Sequence, residues 1–338
     1  MARLRVLLAA LFCAAVVHAA TAEEISGSGS TFAFPVVAGW ADAYAKATGT
    51  QIRYQPIGSG AGVSEIRAHL VDFAVSGAPL ADSQLLRDGL MQFPLVVGAI
   101  VPVINIEGVT PGQLHLTGEI LAGIYMGKVT RWNDASIAEL NPGLILPNLP
   151  ITVICRSDAS GTTLNWTDYL SKVSTTWFAA VGSNLAVNWP VGFGAKGNGG
   201  VAEKVSRVRG AIGYVEYTYA VKSKLSFALV RNHAGNYVAP TEHSFRSTVD
   251  AIDWMEEADF HVLLADAAAS DAYPMMATSF VLMSSYPKDM QKTRATLAFF
   301  RWALNSGHEI ASSLHYLPLP PELTEQVEAY WSASLPRN

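Results

Sequence analysis

The chain reads as an α/β protein built from two ordinary globular domains, on three observations. Its 338 residues exceed what one hydrophobic core usually supports. Half are hydrophobic and only 15% are charged, the balance of a chain that folds rather than stays disordered. Short β-rich runs alternate with helical patterns, which argues for helices layered on largely parallel sheets.

In chain order, residues 35–46 place Val37, Trp40 and Tyr44 on one helical face, and 52–54 read as a strand. Residues 63–70 repeat the helical spacing with Val63, Ile66 and Leu70, before a strand at 71–75. An apolar strand follows at 96–106 and another strand at 151–155, then helices at 164–173 and 291–306. The apolar runs 96–106 and 279–283 lie far apart and bracket everything between them. Such a pair suits two crossings between lobes, one lobe being built from both chain ends, with a ligand cleft between them. No internal repeat and no second apolar run of membrane length appears.

The N-terminus has Arg3 and Arg5, an apolar run at 6–17 and small residues through Ala19, Ala20 and Ala22, the three parts of a secretory signal. The run is about a dozen residues where a membrane span needs roughly 20, so cleavage is expected rather than anchoring. The expected signal peptide is 1–22, cut after Ala22, with Ala19 and Ala20 as other sites; Phe12 before Cys13 is too bulky for lipoprotein processing. Cleavage leaves 316 residues with a net charge of −7 and one cysteine, Cys155, so no intramolecular disulfide can form. No Lys/Arg-rich block exists, which argues against nucleic acid as a partner, and two cysteines supply no zinc motif.

The chemistry sits in three Gly/Ser/Thr loops, each running into a helical pattern: 27–32 (GSGSTF), 58–62 (GSGAG) and 158–163 (DASGTT). Glycine admits close backbone approach, and the first amides of a helix are unpaired at the positive end of its dipole. Any one loop alone could be an ordinary N-cap. Three together, one beside Arg156, point to a shared oxyanion. Asp158, two residues after Arg156, projects to the same side of an extended segment and can hold the guanidinium as a planar fork. The same pair could instead be a surface ion pair.

An enzyme reading finds no Gly-x-Ser-x-Gly elbow, P-loop or His-Glu-x-x-His, and the seven histidines of the mature chain are scattered without metal-type pairing. The 192–200 run, GFGAKGNGG, reads as a flexible turn in preference to a nucleotide loop. Asn165-Trp166-Thr167 is formally a glycosylation acceptor but falls within a helical pattern. Cys155 reads as a buried strand thiol.

At these residues the chain resembles the periplasmic phosphate-binding proteins of bacterial phosphate ABC importers. The segments that carry the resemblance are 27–44, 54–66, 124–134 (IYMGKVTRWND), 156–163, 189–205 and 210–220 (GAIGYVEYTYA), across essentially the whole mature chain. It implies a two-lobe periplasmic-binding-protein (type II) fold with a strand hinge, lobe I at 23–103 plus 273–338 and lobe II at 104–272. It also implies the ligand set: Ser30 and Phe32 through backbone amides, Thr31 through amide and hydroxyl, Ser59, Arg156, Ser160, Gly161 and Thr162, with Asp158 positioning the arginine. Inorganic phosphate would be the ligand, held by dipoles and one arginine without cofactor or metal and with no catalytic residues. A membrane permease and ATPase would be the partners of a monomeric receptor.

One position departs from the family pattern. After 71–73 the family reads Ser-Asp-Ala-Pro, whereas this chain reads Ser76-Gly77-Ala78-Pro79. The missing carboxylate would accept the ligand's own proton and repel a fully ionised oxyanion, so its loss bears on selectivity between phosphate and sulfate. A water at Gly77 or the approach of Asp82 could substitute. The expected function is phosphate capture for an ABC importer; a receptor for another oxyanion, a phosphatase-like hydrolase using Ser59 or Thr31, and a sensor that has lost transport are the alternatives.

Overall fold

The computed structural model describes residues 24–251 and 260–335; the expected signal peptide, with Cys13, lies outside them. Its strands are β1 Glu24–Gly29, β2 Gln51–Gln55, β3 Phe73–Ser76, β4 Leu90–Ile104, β5 His115–Leu116, β6 Thr152–Arg156, β7 Phe193–Ala195, β8 Ala211–Glu216, β9 Ser226–Phe227, β10 Leu229–Val230 and β11 Met276–Ser284. The helices are α1 Phe34–Thr48, α2 Ser59–Arg67, α3 Asp82–Asp88, α4 Gly118–Tyr125, α5 Ala135–Ala138, α6 Gly161–Val173, α7 Thr175–Ala180, α8 Gly197–Arg207, α9 Tyr217–Lys222, α10 Glu242–Val249, α11 Met290–Ser306, α12 His308–Ser313 and α13 Pro321–Ser334. None of the described helices is long and apolar enough to cross a membrane.

One sheet runs β2-β1-β3-β11-β4-β8-β6-β7, with β9 paired to β4. It is mixed rather than largely parallel. The β1–β2, β1–β3, β6–β7 and β6–β8 pairs are parallel, while β4 and β11 run antiparallel to their neighbours through the middle. Every residue of β4 is buried, as a strand covered on both faces requires. Up to Ala99 it pairs with β11, and from Ile100 it pairs with β8, so one strand serves both halves of the sheet. Pro94 lies inside it and offers no N–H; the register with β11 slips beside it, between Ser279 and Phe280. The return of the chain is tied at the same point, since Ile100 N–H donates to Met275 O at 2.8 Å and Tyr273 Oη donates to Ile100 O at 3.2 Å.

The apolar faces read from the sequence pack where expected. Val37, Trp40 and Tyr44 are buried on α1, and Trp40 Nε1–H finds Gly307 O at 2.8 Å. The second helix departs from the reading. It occupies Ser59–Arg67, because its glycine loop is itself the first turn; His69 turns left-handed beyond it at φ 55°, and Leu70 is exposed. Cys155 is buried in β6, and desolvation pushes its thiol up to about 11.

Candidate ligand site

Four helices begin at the junction between the two halves of the sheet. The loop 30–33 leads from β1 into α1, α2 starts at Ser59, α6 at Gly161 and α8 at Gly197. Gly58 can cap α2 only as glycine: its φ is 102°, and a Cβ there would stand 2.6 Å from Asp158 Oδ2. The halves are stitched directly, by Gly60 N–H to Ala159 O at 3.1 Å, Gly161 N–H to Ser59 Oγ at 3.1 Å and Tyr219 Oη to Thr31 O at 2.7 Å. Helix N-termini meeting in this way supply positive potential without net charge.

Arg156 ends β6 with its side chain 1% exposed. Asp158 takes Nε–H at 2.8 Å and one Nη2–H at 2.5 Å, the fork geometry expected from the two-residue spacing. This is a buried clamp and not a surface ion pair. Burial alone would push the Asp158 carboxyl up, but the Arg156 hydrogen bonds and charge, with the Gly197 N–H at 3.0 Å, leave it below its ordinary value. The pair is neutral overall, and the rest of the guanidinium edge, Nη1 above all, faces the hydroxyl of Thr162 at 3.4 Å.

Ser59, Thr31 and Thr162 come together as the sequence anticipates, and each is buried. Ser59 Oγ accepts from both Gly77 N–H (3.2 Å) and Gly161 N–H (3.1 Å). A hydroxyl holding two donors is poorly suited to act as a nucleophile, which bears on the hydrolase alternative. The backbone amides of Thr31, Phe32 and Thr162 donate to no other described residue, so three unpaired N–H groups join the cluster.

Three expected amide donors are spent inside the fold, that of Gly161 on Ser59 Oγ as above. The Ser30 amide donates to Val75 O at 2.7 Å and the Ser160 amide to Leu185 O at 2.9 Å; the first extends the β1–β3 ladder and the second pins the turn before α6. Ser160 Oγ caps α6 by accepting from Thr163 N–H at 3.3 Å, so this residue is an N-cap at the rim of the cluster. Gly77 lies against α6, where a Cβ would sit 3.3 Å from Gly161 Cα. Asp82 stands exposed in the first turn of α3, paired to nothing at Gly77, and does not take the place of the missing carboxylate.

Sequence reasoning missed two asparagines. The 192–200 run is not a flexible turn: it is β7 followed by the start of α8, and it delivers Asn198, fully buried, to Thr31. Asn198 N–H and Nδ2–H both donate to Thr31 Oγ1, at 3.1 and 2.9 Å, and a second Nδ2–H donates to Thr162 Oγ1 at 3.3 Å. Asn165, discounted as a glycosylation acceptor, is indeed buried in α6, but its Nδ2 bridges Gly77 O and Gly161 O at 2.8 Å each. A long-range partner has no local signature, so neither role was readable from spacing.

Two α/β lobes sharing one sheet, with amides, hydroxyls and one clamped arginine converging between them, define a two-lobe binding protein whose cleft favours a small oxyanion. The model of the PBP superfamily domain matches residues 14–306. The chain is 46% identical over 310 residues to the phosphate-binding protein PstS of Xylella fastidiosa Temecula1, covering 92% of this chain and 85% of that one. It is 42% identical over 331 residues to PstS of Pasteurella multocida, covering 98% and 96%. The chain therefore belongs to the PBP superfamily and, within it, to the PstS phosphate-binding proteins. Solved structures share the fold at lower identity. A putative phosphate ABC transporter substrate-binding protein from Clostridium perfringens with bound phosphate superposes with a TM-score of 0.64 at 19% identity, over 88% of this chain and all of the other. A high-affinity periplasmic phosphate-binding protein, PfluDING, bound with phosphate, gives 0.70 at 21%, over 90% and 93%.

Proposed function

We propose that this chain captures inorganic phosphate in the cleft and hands it to a phosphate ABC importer, with no chemical step. The observation that carries the reading is the convergence of Thr31, Ser59 and Thr162 hydroxyls, the free amides of Thr31, Phe32 and Thr162, and the Asp158-clamped Arg156 at one junction. Ser160 and Gly161 shape the start of α6, and Ser30, its amide engaged by Val75 O, shapes the turn into α1. Donors to a charged acceptor contribute about 1.5 to 3 kcal/mol each, so a dianion is held without a metal or a second cation. The relatives' names favour phosphate over the sulfate and hydrolase readings.

The lobes divide, in this reading, at 23–103 plus 273–338 and at 104–272, with the hinge where β4 changes partner between Ala99 and Ile100 and where Tyr273 and Met275 bind Ile100. Residues 1–22 direct export to the periplasm and are removed, and the mature chain works as a monomer that docks on a membrane permease coupled to an ATPase. Deleting the gene and following uptake of labelled phosphate tests the reading. Uptake falls and is restored by the full chain but not by its Arg156→Lys variant; unchanged uptake in the deletion contradicts the transport role.

A further inference from the structure

Resting on the phosphate reading, we infer that Asn198 is a positioning residue that fixes the hydroxyl protons of Thr31 and Thr162 toward the ligand, making a donor-only cradle that selects the phosphate dianion over the monoanion. The Asn198 amide has one direction. Its Oδ1 accepts from the backbone N–H of Glu216 at 2.8 Å, and that group can only donate, so Nδ2 must face the two threonines.

The consequence is a count of lone pairs. A hydroxyl has two lone pairs and one proton. Thr31 Oγ1 accepts from Asn198 N–H and from Nδ2–H, which fills both. Thr162 Oγ1 accepts from the other Nδ2–H and from Arg156 Nη1–H. Ser59 Oγ is filled in the same way by the amides of Gly77 and Gly161. Three hydroxyls that cannot accept again have only their protons left to offer.

Each backbone carbonyl beside the cradle already accepts one hydrogen bond, while Asn165 Oδ1 is buried without a partner among the described residues. Thr31 O accepts from Tyr219 Oη, Phe32 O from Tyr316 Oη, Ser30 O from Tyr54 Oη, and Gly77 O and Gly161 O from Asn165 Nδ2. At position 77 there is no carboxylate to accept the ligand's proton. A ligand oxygen that carries a proton and faces these three hydroxyls meets only donors, and each proton without an acceptor weakens binding. The monoanion brings two such protons and the dianion one.

Other titrating groups around the cradle are separable from the ligand's own proton. Asp158, held below its ordinary value, stays ionised. Tyr54, Tyr214, Tyr219 and Tyr316 are all pushed up by burial and stay neutral. Glu216, raised by burial to about 8, titrates close to the range between pH 6 and 8, so it needs its own control.

The test is calorimetric titration of the ligand-stripped mature chain with inorganic phosphate at pH 6 and pH 8, below and above phosphate's second ionisation. The affinity for total phosphate is expected to rise about tenfold or more with pH. Glu216→Gln keeps that slope, whereas a slope that vanishes in it assigns the effect to Glu216 and overturns the inference. Asn198→Ala returns free lone pairs to Thr31 and Thr162, so it is expected to weaken dianion binding and flatten the slope. An affinity equal at both pH values in the unmodified chain shows that an acceptor serves the ligand's proton, and that result overturns the donor-only cradle while leaving the phosphate receptor standing. No phosphate binding at either pH overturns both.

Discussion

Gly161 and Gly77 meet backbone against backbone across the cleft: a Cβ on Gly161 would stand 2.4 Å from both Cα and C of Gly77. No side chain fits there without moving one half of the sheet away from the other. Gly161→Ala therefore holds the cleft ajar. Phosphate affinity is expected to fall at least about a hundredfold, since the donors of α6 no longer reach the ligand held by α1 and α2. Titration of the variant, with small-angle scattering of the loaded protein, checks this; wild-type affinity in a chain of wild-type compactness contradicts it.

Arg156 supplies a planar fork whose Nε and Nη2 edge is taken by Asp158. Lysine keeps the charge but loses that geometry and the bond to Thr162. Arg156→Lys is expected to weaken phosphate binding about ten- to a hundredfold, the equivalent of about 1.5 to 3 kcal/mol, with unchanged circular dichroism. Equal affinity would show that a point charge suffices.

How much of this was legible beforehand differs between fold and site. Helix α1 and helix α11 announce themselves by apolar spacing over four or five turns, and β4 by a long apolar run, because burial there is a local pattern. Helix α2 misled at both ends, since Ser59 to Gly62 look like loop residues and Leu70 like a core residue until His69 turns the chain. The Arg156–Asp158 clamp was readable because its partners are two residues apart. Asn198 was not, because its partner Thr31 lies 167 residues away and only the assembled sheet brings them together. The antiparallel course of β4 and β11 is likewise a property of topology, which no single segment encodes.

A carboxylate at position 77 is expected to discriminate against fully ionised oxyanions. With no carboxylate there, sulfate meets no like charge at that wall. Gly77→Asp restores one at the cost of a small shift of Gly161, whose Cα lies 3.3 Å from the new Cβ. Sulfate competition against bound phosphate is expected to drop about tenfold or more in the variant. Competition titrations that give the same sulfate constant in both proteins rule this out.

Glu216 stands fully buried at the register position of Ile100, where β4 changes partner. Desolvation raises its carboxyl to about 8, against hydrogen bonds from Thr218 that favour the ionised form. An unfolded chain has it near about 4.3. Between those values the folded state holds the proton and the unfolded state does not, so stability falls as pH rises from about 4.3 to about 8 and levels off above. Glu216→Gln lacks that loss. Thermal unfolding of the ligand-free proteins at pH 5 and pH 8.5 is expected to show the variant gaining on the wild type at the higher pH; parallel profiles count against a buried, proton-holding Glu216.

The most direct test of the central claim is calorimetric titration of the ligand-stripped mature chain with phosphate at pH 8, alongside a phosphomonoester. The account predicts saturable one-to-one binding of phosphate, with no turnover of the ester. Absence of phosphate binding, or release of phosphate from the ester by the pure protein, contradicts it.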